Sequence, residues 1–481
     1  MKILLASSEV HPYSKTGGLA DMIGAMGKAL ARAGHQVAVV TPLYRGIQER
    51  FPEIKKVDWK FDLPMGNRRA QAELWSMEIS KGLTIYFVHH PGYYHRGGVY
   101  QENGVDYADN AERFIFFSKC VVNLSRYLPL KPDIVHVHDW HTGLVPLMVL
   151  HQSKSEGWGN PPAVCLTIHN LAYQGVFSRG TYQLTNLPTD YFNPNGVEFY
   201  GQLNCIKAAI AFARVITTVS PRYAREIMTE EFGCGLDGLL RKRHETLFGI
   251  LNGVDYDEWN TERNPHLKAP YWLENLAGKS VNKAELQKEF ALPVRSNVPL
   301  FGSITRLADQ KGMDIALGAL EEMLHAEIQF VLLGSGSPGY EHAFQQLAKR
   351  FPDRVGVSLG FDQGLSQRIE AGCDFFLMPS RFEPCGLNQM YSLRYGTIPI
   401  VRTTGGLDDT VIDATYDPRK ANGIKFSEYS AQALAKAMRK AMVLYETSKV
   451  LETYRQNAMS ADFSWNRTVA QYRAVYRNAV E

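Results

Sequence analysis

Thr16-Gly17-Gly18-Leu19-Ala20-Asp21 stands near the start of the chain, and Thr404-Gly405-Gly406-Leu407-Asp408-Asp409 near its end. Each copy follows a strand-like apolar run and opens a helical pattern. A Gly-Gly pair at such a turn lets the backbone approach a ligand, and the amides opening the next helix favour an anion. The alternative is a tight strand-to-helix turn with no ligand. Only the first copy has a basic residue directly ahead of it, Lys15. The repeated phrase predicts two related α/β halves, each with a glycine-lined loop at the mouth of its sheet.

Working outward, short apolar runs alternate with amphipathic helical patterns, the signature of parallel sheets covered by helices on both faces. In the first half the predicted strands are 2–6, 36–41, 72–79, 83–89, 133–138, 163–169 and 215–219. In the second they are 300–305, 328–334, 355–361, 375–379, 398–403 and 423–426. Leu19, Met22, Ile23, Met26 and Leu30 share one face of the first helix, and Gly34 supplies its C-terminal stop. Periodicity fades between about 240 and 298. The expected domains are therefore 1–247 and 248–457, followed by a tail over about 458–481. Trp465, Val469, Tyr472 and Tyr476 form an apolar stripe on that tail, which must dock somewhere.

A net charge of +3 with no Lys/Arg run gives no footprint for nucleic acid. Six scattered cysteines without a C-x-x-C pair fit neither a zinc framework nor a disulfide scaffold, and suit a reducing compartment. Ile3-Leu4-Leu5-Ala6 is too short for a signal-peptide core, and no apolar run approaches a membrane span. The expectation is a cytoplasmic protein with no membrane partner.

Open α/β sheets bind ligands beyond the carboxyl ends of their strands. Lys15 follows the first strand of one half. Arg306 and Lys311 follow the first strand of the other, in Thr305-Arg306-Leu307-Ala308-Asp309-Gln310-Lys311-Gly312. If the two mouths face each other, three cations and two glycine loops would suit a diphosphate. Glu383, in Ser380-Arg381-Phe382-Glu383-Pro384-Cys385-Gly386-Leu387, can accept hydrogen bonds from sugar hydroxyls or simply favour a helix start. Cys385 reads as a packing residue. Gly334-Ser335-Gly336-Ser337-Pro338-Gly339 matches a dinucleotide fingerprint but sits on the second strand of its half, with Pro338 in the turn. His136-Val137-His138-Asp139-Trp140-His141 imitates a zinc-hydrolase cluster whose further ligands do not follow, so no metal site is expected. Asp139 and His141 then lie at a strand end, with His136 buried. His169 ends another strand, and Asn252 either reaches the site or makes a turn.

These phrases, with Thr167-Ile168-His169-Asn170-Leu171-Ala172-Tyr173-Gln174-Gly175 and Leu251-Asn252-Gly253-Val254-Asp255, resemble the bacterial glycogen synthases and the related starch synthases, in family order along nearly the whole chain. The resemblance implies the GT-B architecture, two Rossmann-like doubly wound domains facing across a cleft. It implies transfer of glucose from ADP-glucose to the non-reducing end of an α-1,4-glucan, with retention and no cofactor or required metal. Lys15, Arg306 and Lys311 would hold the diphosphate. Glu383 would bind glucose hydroxyls beside the amides of Cys385, Gly386 and Leu387. Asp139 and His169 would flank the anomeric carbon, with Asp21 and Asn252 near the sugar. Gly17, Gly18, Tyr100, Asn170, Thr404 and Gly405 complete the substrate-binding set, and the last helix would cross back onto the first domain. Two positions depart from the pattern: Tyr391 stands where many retaining GT-B enzymes have a second Glu, and Phe361 where a Tyr is common. The rival readings are a UDP-glucose-dependent relative and a catalytically dead glucan-binding regulator.

Overall fold

The computed structural model describes Met1–Glu481 and divides into two compact units, Met1–Gly253 with Trp465–Glu481, and Val254–Ser464. The expected boundary at 247/248 would cut the strand Leu247–Gly249, which pairs in parallel with Val215–Thr218 and so belongs to the first unit. Only Trp465–Glu481 of the expected tail joins that unit, because Ala458 is buried in the core of the second.

The first unit is built on a nine-stranded sheet. From one edge the strands are Leu247–Gly249, Val215–Thr218, Ala163–Ile168, Ile134–His138, Lys2–Ala6, Gln36–Pro42, Leu83–His89, Arg68–Ser80 and Lys55–Met65. The first seven run parallel. Arg68–Ser80 and Lys55–Met65 close the far edge as an antiparallel pair, so the sheet is mixed and not purely parallel as expected. Ile3, Leu4, Leu5 and Ala6 are fully buried, which is why the central strand is apolar on both faces.

The second unit carries six parallel strands in the order Val355–Leu359, Gln329–Gly336, Leu300–Leu307, Phe375–Met378, Ile398–Arg402 and Ile424–Phe426. In both sheets the chain winds outward from the middle in two directions. The switch points lie between Lys2–Ala6 and Ile134–His138, and between Leu300–Leu307 and Phe375–Met378. Ligands of open α/β sheets sit at such points.

The helix Gly18–Arg32 buries Met22, Ile23, Met26 and Leu30 as its spacing requires, while Leu19 is only half-buried. The helix Trp465–Val480 turns Trp465, Val469, Tyr472 and Tyr476 inward on the first unit. There Tyr476 meets His136 of the strand Ile134–His138. No helix is long and apolar enough to cross a membrane.

Candidate active site

At the switch point of the first sheet, a carboxylate overlooked in the sequence organises the glycine phrase. Glu9 follows the strand Lys2–Ala6 and is almost wholly buried. Its Oε1 accepts from the Thr16 hydroxyl and the Tyr100 hydroxyl, each at 2.6 Å. Its Oε2 accepts from the Thr16 and Gly17 amides. The anion expected at those amides is therefore supplied by the chain itself. Burial raises the Glu9 pKa against these donors. The Ser7-Ser8-Glu9 run directly after the first strand was the available signal.

Lys15 is exposed in this loop and pairs with Asp21 at 2.8 Å. Gly17 and Gly18 are also exposed. The Tyr100 ring stacks on His141 at 4.7 Å, which stacks on Trp140 at 4.1 Å.

Asp139 begins the loop after Ile134–His138 with φ +56° and ψ −170°, a region that side chains rarely adopt. Such strain is costly by about 1–3 kcal/mol and concentrates at functional sites. The Asp139 carboxylate accepts the His169 amide at 2.7 Å and the Asn170 amide as well. Burial nevertheless pushes its pKa up to about 7, and the nearby Glu9 charge adds to the rise. Asn170 turns its own Oδ1 to the Ala172 amide. His169 is half-buried, its Nε2 is 3.1 Å from His138 Nδ1, and burial lowers its pKa to about 3. His136 is buried with both ring nitrogens engaged by Tyr476 and Thr167, so it ligates nothing. Asn252 is buried with its Oδ1 unpartnered.

In the second unit, the two loops at the switch point touch. Lys311 Nζ is 2.5 Å from Glu383 Oε2, and Ser380 Oγ donates to the same oxygen at 3.0 Å. The Arg381 amide donates to the Gln310 carbonyl at 2.8 Å. Arg306 is exposed, and its Nη2 donates to Gln310 Oε1 at 3.2 Å. Gly312 (φ +72°) must be glycine, since a Cβ there would lie 2.1 Å from the Pro379 carbonyl oxygen.

The second glycine phrase does a different job from the first. The Gly406 amide donates to the carbonyls of Glu383 and Pro384. A Cβ on Gly405 would lie 1.9 Å from the Glu383 carbonyl oxygen. The glycines thus seat the Glu383 loop, with Gly405 against the Glu383 and Pro384 carbonyls and Gly406 against the backbone of Cys385. Thr404 is buried, its hydroxyl unpartnered, and Cys385 is buried as expected of a packing residue.

The remaining motifs are explained by packing. Two of the three glycines of the apparent dinucleotide fingerprint face strand backbone: a Cβ on Gly334 would lie 2.0 Å from the Thr305 carbonyl oxygen, and one on Gly336 2.4 Å from that of Leu307. Tyr391 stacks on Trp259 at 3.6 Å, while Phe361 is exposed.

Residues 2–242 match the family model of the starch synthase catalytic domain, and 285–458 that of the group 1 glycosyl transferases. The chain is 47% identical over 479 residues to glycogen synthase of Anaeromyxobacter dehalogenans strain 2CP-C, covering 99% of both. It is 41% identical to glycogen synthase 1 of Geobacter metallireducens, covering 96% of that protein. The solved catalytic domain of Arabidopsis thaliana starch synthase IV, bound to ADP and acarbose, superimposes with a TM-score of 0.91 at 35% identity and 99% coverage of each chain. Sucrose-phosphate synthase of Thermosynechococcus elongatus, at 18% identity and a TM-score of 0.62, shares the fold alone. The architecture is GT-B, and the chain belongs to the family of glycogen and starch synthases.

Proposed function

We propose that this chain is a retaining glucosyltransferase that elongates an α-1,4-glucan, moving glucose from ADP-glucose to the non-reducing end. The observation that carries this reading is the full-length relationship to glycogen synthases, joined to the Arg306, Lys311 and Glu383 constellation at a sheet switch point.

The bond to be broken joins the anomeric carbon to a diphosphate oxygen, and the departing diphosphate gains negative charge. Lys311 and Arg306 supply fixed positive charge where that develops, and Lys15 serves the same anion. Preorganised charge of this kind is usually the largest single contribution to a lowered barrier. With those cations on the leaving group, the proposed chemistry calls for no metal or other cofactor. Glu383, held by Lys311 and Ser380, accepts from glucose hydroxyls beside the Cys385–Leu387 amides. Asp139 and His169 attend the anomeric carbon, where positive character grows. Asp21, Tyr100, Asn170 and Asn252 line the sugar side, and Thr404 and Gly405 back the donor loop. The six cysteines, none of them in a disulfide, suit a cytoplasmic location.

Incubation with glycogen and labelled ADP-glucose tests the reading. Labelled α-1,4-glucan is expected, with a higher kcat/KM for ADP-glucose than for UDP-glucose. Equal or better use of UDP-glucose would favour the UDP-dependent relative, and binding of glycogen without any transfer would favour the regulator.

A further inference from the structure

His138 has no place in the function proposed above, yet it ends the strand beside Asp139 and is fully buried. Its Nδ1 lies 3.1 Å from His169 Nε2, and its own Nε2 is buried without a partner. The neighbouring His136 ring is 4.2 Å away, but its nitrogens are committed to Tyr476 and Thr167 at 2.8 and 2.6 Å. The backbone of His169 is fixed separately, by donation to Asp139 Oδ1. The direction of the His169 ring is therefore set by His138.

The proton inventory of this pair decides what His169 can offer. A neutral imidazole has one N–H and one bare nitrogen. Both rings stay neutral: burial lowers His169 to about 3, and burial followed by the neighbouring His136 and His169 holds His138 well below the ordinary histidine value. One proton then occupies the contact between them. If His169 carried it on Nε2, the proton of His138 would sit on its own Nε2, an N–H sealed in the interior with no acceptor. Orphaned buried N–H groups are rarely tolerated, and a buried lone pair somewhat more often. If His138 carries the shared proton on Nδ1, only its lone pair is left unpartnered, and the proton of His169 moves to the outward nitrogen.

We infer that His138 is a positioning residue: donating from Nδ1 to His169 Nε2, it holds His169 in the Nδ1–H form, so that His169 meets an oxygen of the sugar donor as a hydrogen-bond donor and never as a base. The identity of that oxygen's owner rests on the proposed function, but the tautomer does not.

The test is a long-range proton–nitrogen correlation spectrum of the full chain, labelled with 15N-histidine and free of substrate. The His169→Asn variant assigns the His169 signal by its loss. His169 is expected to show a protonated Nδ1 and a bare Nε2. His138→Asp puts an acceptor where the Nδ1–H donor stood and is expected to draw the His169 proton to Nε2 and to lower kcat about 10- to 100-fold, the usual cost of a misplaced group, with a smaller change in KM. His138→Asn keeps a donor near the Nδ1 position and is expected to retain the tautomer and most of kcat. A protonated Nε2 on His169 in the unaltered chain, or an unchanged tautomer in His138→Asp, would overturn the inference. Because the spectrum is taken without substrate, absence of glucosyl transfer would count against the proposed function and leave this result intact.

Discussion

Lys311 Nζ stands 2.5 Å from Glu383 Oε2, so the cation proposed for the leaving diphosphate is also the counter-ion of the carboxylate proposed for the sugar. Lys311→Ala is expected to lower kcat and kcat/KM together by about 10²–10³-fold, as loss of an interaction made mainly in the transition state does. Arg306→Ala should act in the same direction. A normal kcat with only a raised KM would confine these residues to ground-state binding. Part of the Lys311→Ala cost falls on the fold, because Glu383 is left buried and uncompensated. Adding Glu383→Gln should therefore move the urea midpoint back toward that of the unaltered chain.

Glu383→Gln alone keeps the shape of the side chain and removes its charge. About 10²–10³-fold is expected to be lost from kcat, the scale of one strong transition-state hydrogen bond. The product should remain α-linked, with no stable glucosyl adduct on the enzyme. Mass spectra of enzyme quenched during turnover check this, and an adduct on Glu383 or Asp139, or a β-linked product by NMR, would contradict it.

Asp139 gives a pH-dependent stability with a definite sign. Burial raises its pKa from an ordinary 3.8 to about 7. Between those values the unfolded chain has lost a proton that the folded chain still binds, so stability falls as pH rises through this window. Asp139→Asn cannot ionise and escapes that fall. Its stability relative to the unaltered chain should improve from pH 4 to pH 7 and level off above, measured by urea unfolding. A difference independent of pH would place the ordinary carboxyl pKa at this site.

Gly405→Ala addresses the seating of the Glu383 loop. The residue sits at φ +43°, and its new Cβ would meet the Glu383 carbonyl oxygen. The loop must shift, so the KM for ADP-glucose should rise at least about 10-fold while most of the thermal midpoint is kept, since loop displacement alters positioning more than core burial. An unchanged KM would mean that the loop needs no such seat.

The sequence disclosed the two sheets, the glycine phrases and most of the polar residues at their switch points, because each lies in a strand–loop–helix pattern that local spacing exposes. Glu9 escaped because its role depends on Tyr100, whose partnership exists only in three dimensions. The helix Ala277–Glu289 fell inside the stretch read as aperiodic: its buried positions include Lys279, Lys283 and Gln287, polar groups paired with groups far away in sequence. The edge strand Lys55–Met65 was missed for a related reason, since exposed charged residues alternate along it without an apolar run. Gly405 and Gly406 were correctly located, but the loop they accommodate could not be read from spacing.

The helix Trp465–Val480 is made after the second unit and yet completes the first. While a ribosome adds the residues after Gly253, at about 5–20 per second, the first unit waits roughly 10–45 s for the helix that covers His136. For that interval Val469, Tyr472 and Tyr476 do not yet exist, and the face they will occupy lies open to chaperones or to a second nascent copy. Synthesis speed over the second half of the message therefore bears on how much of the first half reaches its native state.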